Sequence, residues 1–168
     1  MAGAQMAATM GPRAAIALFP WIVPMIAHLA NVYLAGAPAA PMAEELDSLN
    51  SWIDREFNSL PCKVQFWTGD VTLAECRAAF NNSGVLNISI ANNSHPYLTK
   101  SANAKFRAIH DWAHVELGAD DSFNGEWATW ENNNAPDSIQ WILFSEIVLQ
   151  AAAAIHFGEF QAQKLVKF

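Results

Sequence analysis

The chain has 168 residues, 52% of them hydrophobic and only 15% charged, with seven Trp and ten Phe. That much apolar surface excludes a disordered chain, and the length fits one domain able to bury a real core without disulfide or metal staples. Nine Lys and Arg against sixteen Asp and Glu give a formal charge of −7; with Lys164 and Lys167 the nearest thing to a basic pair, nucleic acid is not an expected partner.

The first 40 residues differ from the rest. They carry one charge, Arg13, then an apolar run from Ala14 to Ala30 and the small residues of 35–39. A positive start, an apolar stretch and an A-x-A arrangement resemble a secretory signal. The same residues also admit membrane association through residues 14–34, a packed helix kinked at Pro20 and Pro24, or a disordered arm. Acidic residues first appear after Pro41, so the expected organisation is a separable segment 1–40 and one globular domain over 41–168. Secretion or membrane attachment follows if the segment acts as a signal, and an intracellular or virion location if it does not.

Leu46, Leu49, Ile53 and Phe57 recur at helical spacing and predict an amphipathic helix over 44–57, ended before Pro61. Val64, Phe66 and Trp67 read as a strand turning at Gly69-Asp70, and Thr72 is placed to cap a short helix reaching Phe80. The alternation from Val85 to Ile90 reads as a second strand, and 92–96 as a loop. From Ser101 onward the pattern is helical, with breaks near Gly118 and around Asn132 to Pro136. The class expected is mainly α (α+β), a helical bundle-like core with a small two-stranded β element. Cys62 and Cys76 are the only thiols; in an oxidising compartment they could close a loop, and otherwise they are small buried hydrophobes. Asn81, Asn87 and Asn92 each begin an Asn-x-Ser sequon, which matters only in a eukaryotic secretory pathway.

The chemistry is concentrated in the last three helices. Phe106, Ile109, His110, Ala113, His114 and Leu117 share one face, so two imidazoles four residues apart lie in an apolar stripe and can converge on one ion. Asp111, beside them, is a candidate ligand or general base. In the next helix Glu126 lies between Phe123 and Trp130. The final helix, about 137–157, places Glu146 and Gln150 in a stripe with Ile139, Ile142, Leu143, Ala153 and Phe157. A buried carboxylate must find a partner. The histidine pair is the natural one for Glu146, so His110, His114, Glu126 and Glu146 are expected to meet around one point. The structural alternative has His110 or His114 bonded to a backbone carbonyl and Glu146 paired with Arg107. His28, His95 and His156 read as structural.

The order His110-Asp111, Gly125-Glu126 and Glu146-x-x-x-Gln150 resembles poorly characterised phage and other virus-encoded proteins that carry such a series, over residues 101–168. That resemblance implies a viral source and a shared polar centre. The adjacent His-Asp is also similar to metal phosphohydrolases of the HD type, in which His95 and Asp137 would have to complete the site. His110-Asp-Trp-Ala-His114 is similar to the zincin helix His-Glu-x-x-His with Asp in place of Glu. That likeness implies Asp111 acting on a water and Glu146 as third ligand.

Two functions follow as expectations. One is a hydrolase using a divalent metal such as zinc, with ligands His110, His114 and Glu146, Asp111 or Glu126 as base, and Gln150 as a further member of the polar centre. The other is a virus-encoded structural or accessory protein with a buried polar cluster and an unknown protein partner.

Overall fold

The computed structural model describes residues 21–167, in a mainly helical fold with one small sheet. In chain order it contains α1 (Ile22–Ala35), α2 (Ala43–Ser59), β1 (Lys63–Trp67), α3 (Leu73–Ser83), β2 (Val85–Ser89), α4 (Lys100–Leu117) and α5 (Phe123–Glu131). The final helix, Asp137–Phe157, runs through α6 (Asp137–Leu143), a π-helical segment (Phe144–Leu149) and α7 (Gln150–Phe157).

Polar residues at the helix starts fix where the chain turns. Thr72 caps α3 in a reciprocal pair with Glu75, Thr99 Oγ1 accepts from Ala102 N at 3.1 Å, and Ser122 caps α5 through Gly125 N. β1 and β2 pair in parallel, Lys63 opposite Val85 through Trp67 opposite Ser89, with α3 as the crossover between them. Leu86 and Ile88 point inward from β2, whereas β1 is largely exposed.

Two apolar clusters form, and α4 serves both. Its Phe106 packs in the larger one with Trp52, Ile53, Ile139, Leu143 and Val148, while its Ala108 joins Cys76, Leu86 and Ile88 in the smaller one. The helix carrying the two histidines is thus a wall between both cores. Asp137–Phe157 is long and apolar enough to cross a bilayer by length and composition, but more than half of its apolar window is buried here and it forms the axis of the larger core. Cys62 and Cys76 are both free and lie in or against the smaller cluster, where burial pushes the Cys76 thiol up to about 12.

The boundary expected at residue 40 does not coincide with a break in packing. α1 lies against α7, and its Ala30 and Tyr33 are fully enclosed in the larger core. Pro24 does not break this helix, because it occupies the first turn, where its missing N–H has no intrahelical acceptor to lose. The C-terminal stretch after α7 returns along the same side. Ala39 N donates to Leu165 O at 2.9 Å, Val166 N to Ser145 Oγ at 2.9 Å, and Tyr33 Oη to Ala162 O at 3.2 Å. Residues 22–35 are part of the domain; Pro20 and the preceding part of the signal-like run lie outside the described residues.

Candidate metal centre

α4 delivers His110 and His114 one turn apart, as their spacing requires. Gly118 then ends the helix at φ +64°, a left-handed conformation that glycine adopts without strain, so the chain doubles back and α5 crosses the end of α4. α5 comes so close to the connecting loop that a Cβ on Gly125 would stand 1.8 Å from Asp120 O. The Gly-Glu pair therefore has a packing origin: glycine permits the approach that brings Glu126 over the histidines.

The three side chains meet. His110 Nε2 lies 3.1 Å from Glu126 Oε2, His114 Nε2 lies 3.5 Å from Glu126 Oε1, and the two Nε2 atoms are 3.3 Å apart. One ligand atom from each residue falls within 4.8 Å of the other two, so the group could hold a metal ion. His114 is 2% exposed, Glu126 15% and His110 22%, which makes a deep centre with one accessible wall.

Neighbouring groups prepare these atoms. His114 Nδ1 faces Ala119 O at 3.3 Å; a carbonyl only accepts, so this contact puts the proton on Nδ1 and leaves the Nε2 lone pair directed at the centre. Arg77, from α3, holds the same loop, its Nη2 donating to Ala119 O at 2.5 Å and to His114 O at 3.2 Å. The carbonyl that orients the imidazole is itself anchored, as in metal sites where outer partners fix the ligating ring. Burial opposes the charge on Glu126, but hydrogen bonding and attraction from the two imidazoles outweigh it and hold the carboxyl at about 2. Burial likewise disfavours protonation of His110, yet Glu126 and Asp111 override it and raise the imidazole above its ordinary value. His110 Nδ1 is buried with no hydrogen-bond partner among the described residues.

Asp111 stands beside the triangle without joining it. Burial raises its carboxyl, against the charges of His110, His114 and Arg107. Arg107 is occupied elsewhere, with Nη1 donating at 2.9 Å to both Ser89 O and Ala91 O, so it does not pair with Glu146.

Glu146 and Gln150 do not join the histidine pair. Glu146 Oε1 faces His95 Nε2 at 3.3 Å and its Oε2 accepts from Gln163 Nε2 at 3.0 Å, while Gln150 lies beside Tyr33. The reason is the π-helical segment: i→i+5 bonding widens the turn, so the fixed 100° step that aligned Glu146 with Ile142 and Gln150 no longer holds. Glu126 takes the place expected of Glu146. His95 was legible only as a loop histidine, yet its Nδ1 accepts from Tyr97 N at 3.0 Å and Leu98 N at 2.9 Å. With His95 committed to Glu146 and Asp137 exposed at the start of α6, the geometry required by the HD likeness is not assembled.

A cleft of about 370 Å³ between α2, α4 and α5 is lined by His110, Trp52, Phe106 and Trp112. A larger, more open groove of about 660 Å³ beside β1 includes Phe57, Phe66, Lys100 and Lys105 but none of the converging residues. The smaller cleft is the one that adjoins the centre. No family model, curated protein or solved structure matches the chain, so the site's own geometry carries the functional argument.

Proposed function

We propose that the protein is a metal-dependent hydrolase whose ion, zinc in the first instance, is held by His110, His114 and Glu126. The size of the triangle carries the proposal. Tetrahedral coordination with bonds of about 2.0–2.1 Å, the lengths for zinc with nitrogen and oxygen, separates ligand atoms by about 3.3 Å. The observed separations are 3.1, 3.3 and 3.5 Å. Three protein ligands leave a fourth vertex, which is the pattern of catalytic rather than closed structural zinc sites.

The ion's contribution would be Lewis acidity toward a polarised bond and a lowered pKa for a coordinated water. Asp111 is the general base of this reading, since its raised carboxyl and its place in the field of both imidazoles suit proton transfer. Glu126 supplies the negative charge that partly neutralises the ion. His110, the most exposed of the three, faces the cleft where substrate would sit.

Chelator-stripped protein titrated with zinc in a calorimeter should take up one ion per chain, and His114→Ala should take up none. Zinc-dependent cleavage of an activated amide or ester should disappear in Asp111→Asn while zinc stays bound. Protein that neither contains nor binds a divalent ion would overturn the reading. The His110–Glu126 contact would then be a core ion pair in a virus-encoded structural or accessory protein.

A further inference from the structure

Taking the metal-hydrolase reading as its basis, we infer that the cleft beside His110 selects a substrate with a positively charged amine or guanidinium next to an apolar body, and excludes phosphate esters. Trp52, Phe106 and Trp112 give the cleft an aromatic lining, and its two charged residues besides His110 are Glu56 and Glu116. No Lys or Arg lines it among the described residues. Arg77 and Arg107 are used on backbone carbonyls, Arg77 on His114 and Ala119, Arg107 on Ser89 and Ala91, and Arg55 pairs with Glu56.

Glu56 stands on α2 and Glu116 on α4, and both line the cleft. Arg55 reaches only Glu56 Oε1, at 3.0 Å, and Arg55 is itself more than half exposed. Glu116 is exposed and has no protein ion pair among the described residues. Two carboxylates lining an otherwise largely apolar cleft attract a cationic group by Coulomb attraction and repel a phosphate dianion. Phosphoryl-transfer sites commonly add cationic side chains to the metal around the transferring group, and this lining has none. The charged group of the substrate would sit between Glu56 and Glu116, with its neutral scissile bond toward His110; a peptide or amide carrying a basic side chain has that layout.

Binding of three probes of one shape separates the possibilities: phenethylamine, phenethyl alcohol and phenyl phosphate, each titrated into the full chain, with and without zinc, and followed by tryptophan fluorescence. The amine should bind tightest and the phosphate weakest. Each of Glu56→Gln and Glu116→Gln should reduce the amine's preference over the alcohol by about two- to fivefold, the range for exposed ion pairs. Circular dichroism checks that both variants remain folded. Equal affinity for amine and alcohol, tightest binding of the phosphate, or no binding of any probe at millimolar concentration each overturns the inference. Zinc content is measured separately, so protein that binds the amine but no zinc retains this cleft while losing the hydrolase reading. Protein that binds zinc but does not prefer the amine does the opposite.

Discussion

Among the described residues, histidine and glutamate meet at two buried centres, and the two are chemically opposite. At the first, His114 gives its Nδ1 proton to Ala119 O, which leaves the Nε2 lone pair facing His110 and Glu126. At the second, His95 Nδ1 accepts two backbone N–H groups, so the ring proton must reside on Nε2, pointing at Glu146. The same two residue types therefore make a group that could hold an ion in one place and, in the other, an N–H facing a carboxylate at 3.3 Å without hydrogen-bond geometry. What decides is the backbone on the far side of each ring: a carbonyl prepares a ligand, whereas amides prepare a donor.

Removing a ligand should have the largest effect and should separate the centres. With free zinc about 1,000-fold above the dissociation constant, the ion contributes about 4 kcal/mol to folding stability. His114→Ala should lose that increment entirely, read as a melting temperature that no longer responds to zinc. His95→Ala should retain it. A zinc response that vanished in His95→Ala would join the two centres and break the comparison.

The next effect concerns the second pair. Glu146→Ala removes the carboxylate that lies 3.3 Å from His95 Nε2, in a site 1% exposed, and leaves Gln163 without its partner. Leaving a buried neutral donor unpaired costs about 1–3 kcal/mol. Urea unfolding of zinc-free protein should show that loss, while calorimetry of the folded variant should still find one zinc per chain.

The sequence exposes the first centre better than the second, for physical reasons. His110 and His114 are visible because a regular helix converts a spacing of four into adjacency, and Glu126 because a carboxylate flanked by Phe123 and Trp130 must lie against apolar surface. Its place beside both imidazoles is not visible, since that depends on how tightly Gly125 lets α5 approach the loop. Glu146 is misassigned by periodicity because the π-helical turn carries no compositional mark. His95 is hidden because loop histidines have no period at all. The two strands are legible from alternation, but their parallel pairing depends on the α3 crossover. α1 looks separable because its charge-free composition resembles a signal, whereas burial of Ala30 and Tyr33 depends on α7, more than a hundred residues later.

A smaller effect tests whether the backbone behind the ring matters as argued. Arg77→Met removes the cation that anchors the Ala119 carbonyl while keeping much of the side chain's bulk. Changes in such supporting partners weaken metal affinity about 10- to 100-fold. Zinc titration should show that loss with the stoichiometry unchanged. An unaltered affinity would mean that His114 is oriented by its packing alone.

Glu45 sharpens the comparison from outside it, as a buried carboxylate with no histidine. It is 4% exposed, and it accepts from Met42 N at 2.8 Å, Trp141 Nε1 at 2.9 Å and Lys167 Nζ at 3.2 Å. The Met42 backbone bond is the chief cause that lowers its carboxyl, with Trp141 and Lys167 adding to it against desolvation. A carboxylate lowered on folding contributes stability that is complete above its ordinary value of 4.5 and is lost as pH falls through the folded value. Glu45→Gln should therefore cost about 1–2 kcal/mol at pH 6, the range for a lost helix cap. That cost should shrink toward zero as pH falls below 4.5 and through the folded value, measured by urea unfolding with chelator present so that zinc plays no part. The opposite trend, a cost growing in acid, would assign the stability to a group that gains a proton on folding. Since no histidine contacts Glu45 among the described residues, its acid sensitivity sets the behaviour of a buried carboxylate held by a backbone amide, an indole N–H and an ammonium, against which the two histidine-paired glutamates can be measured.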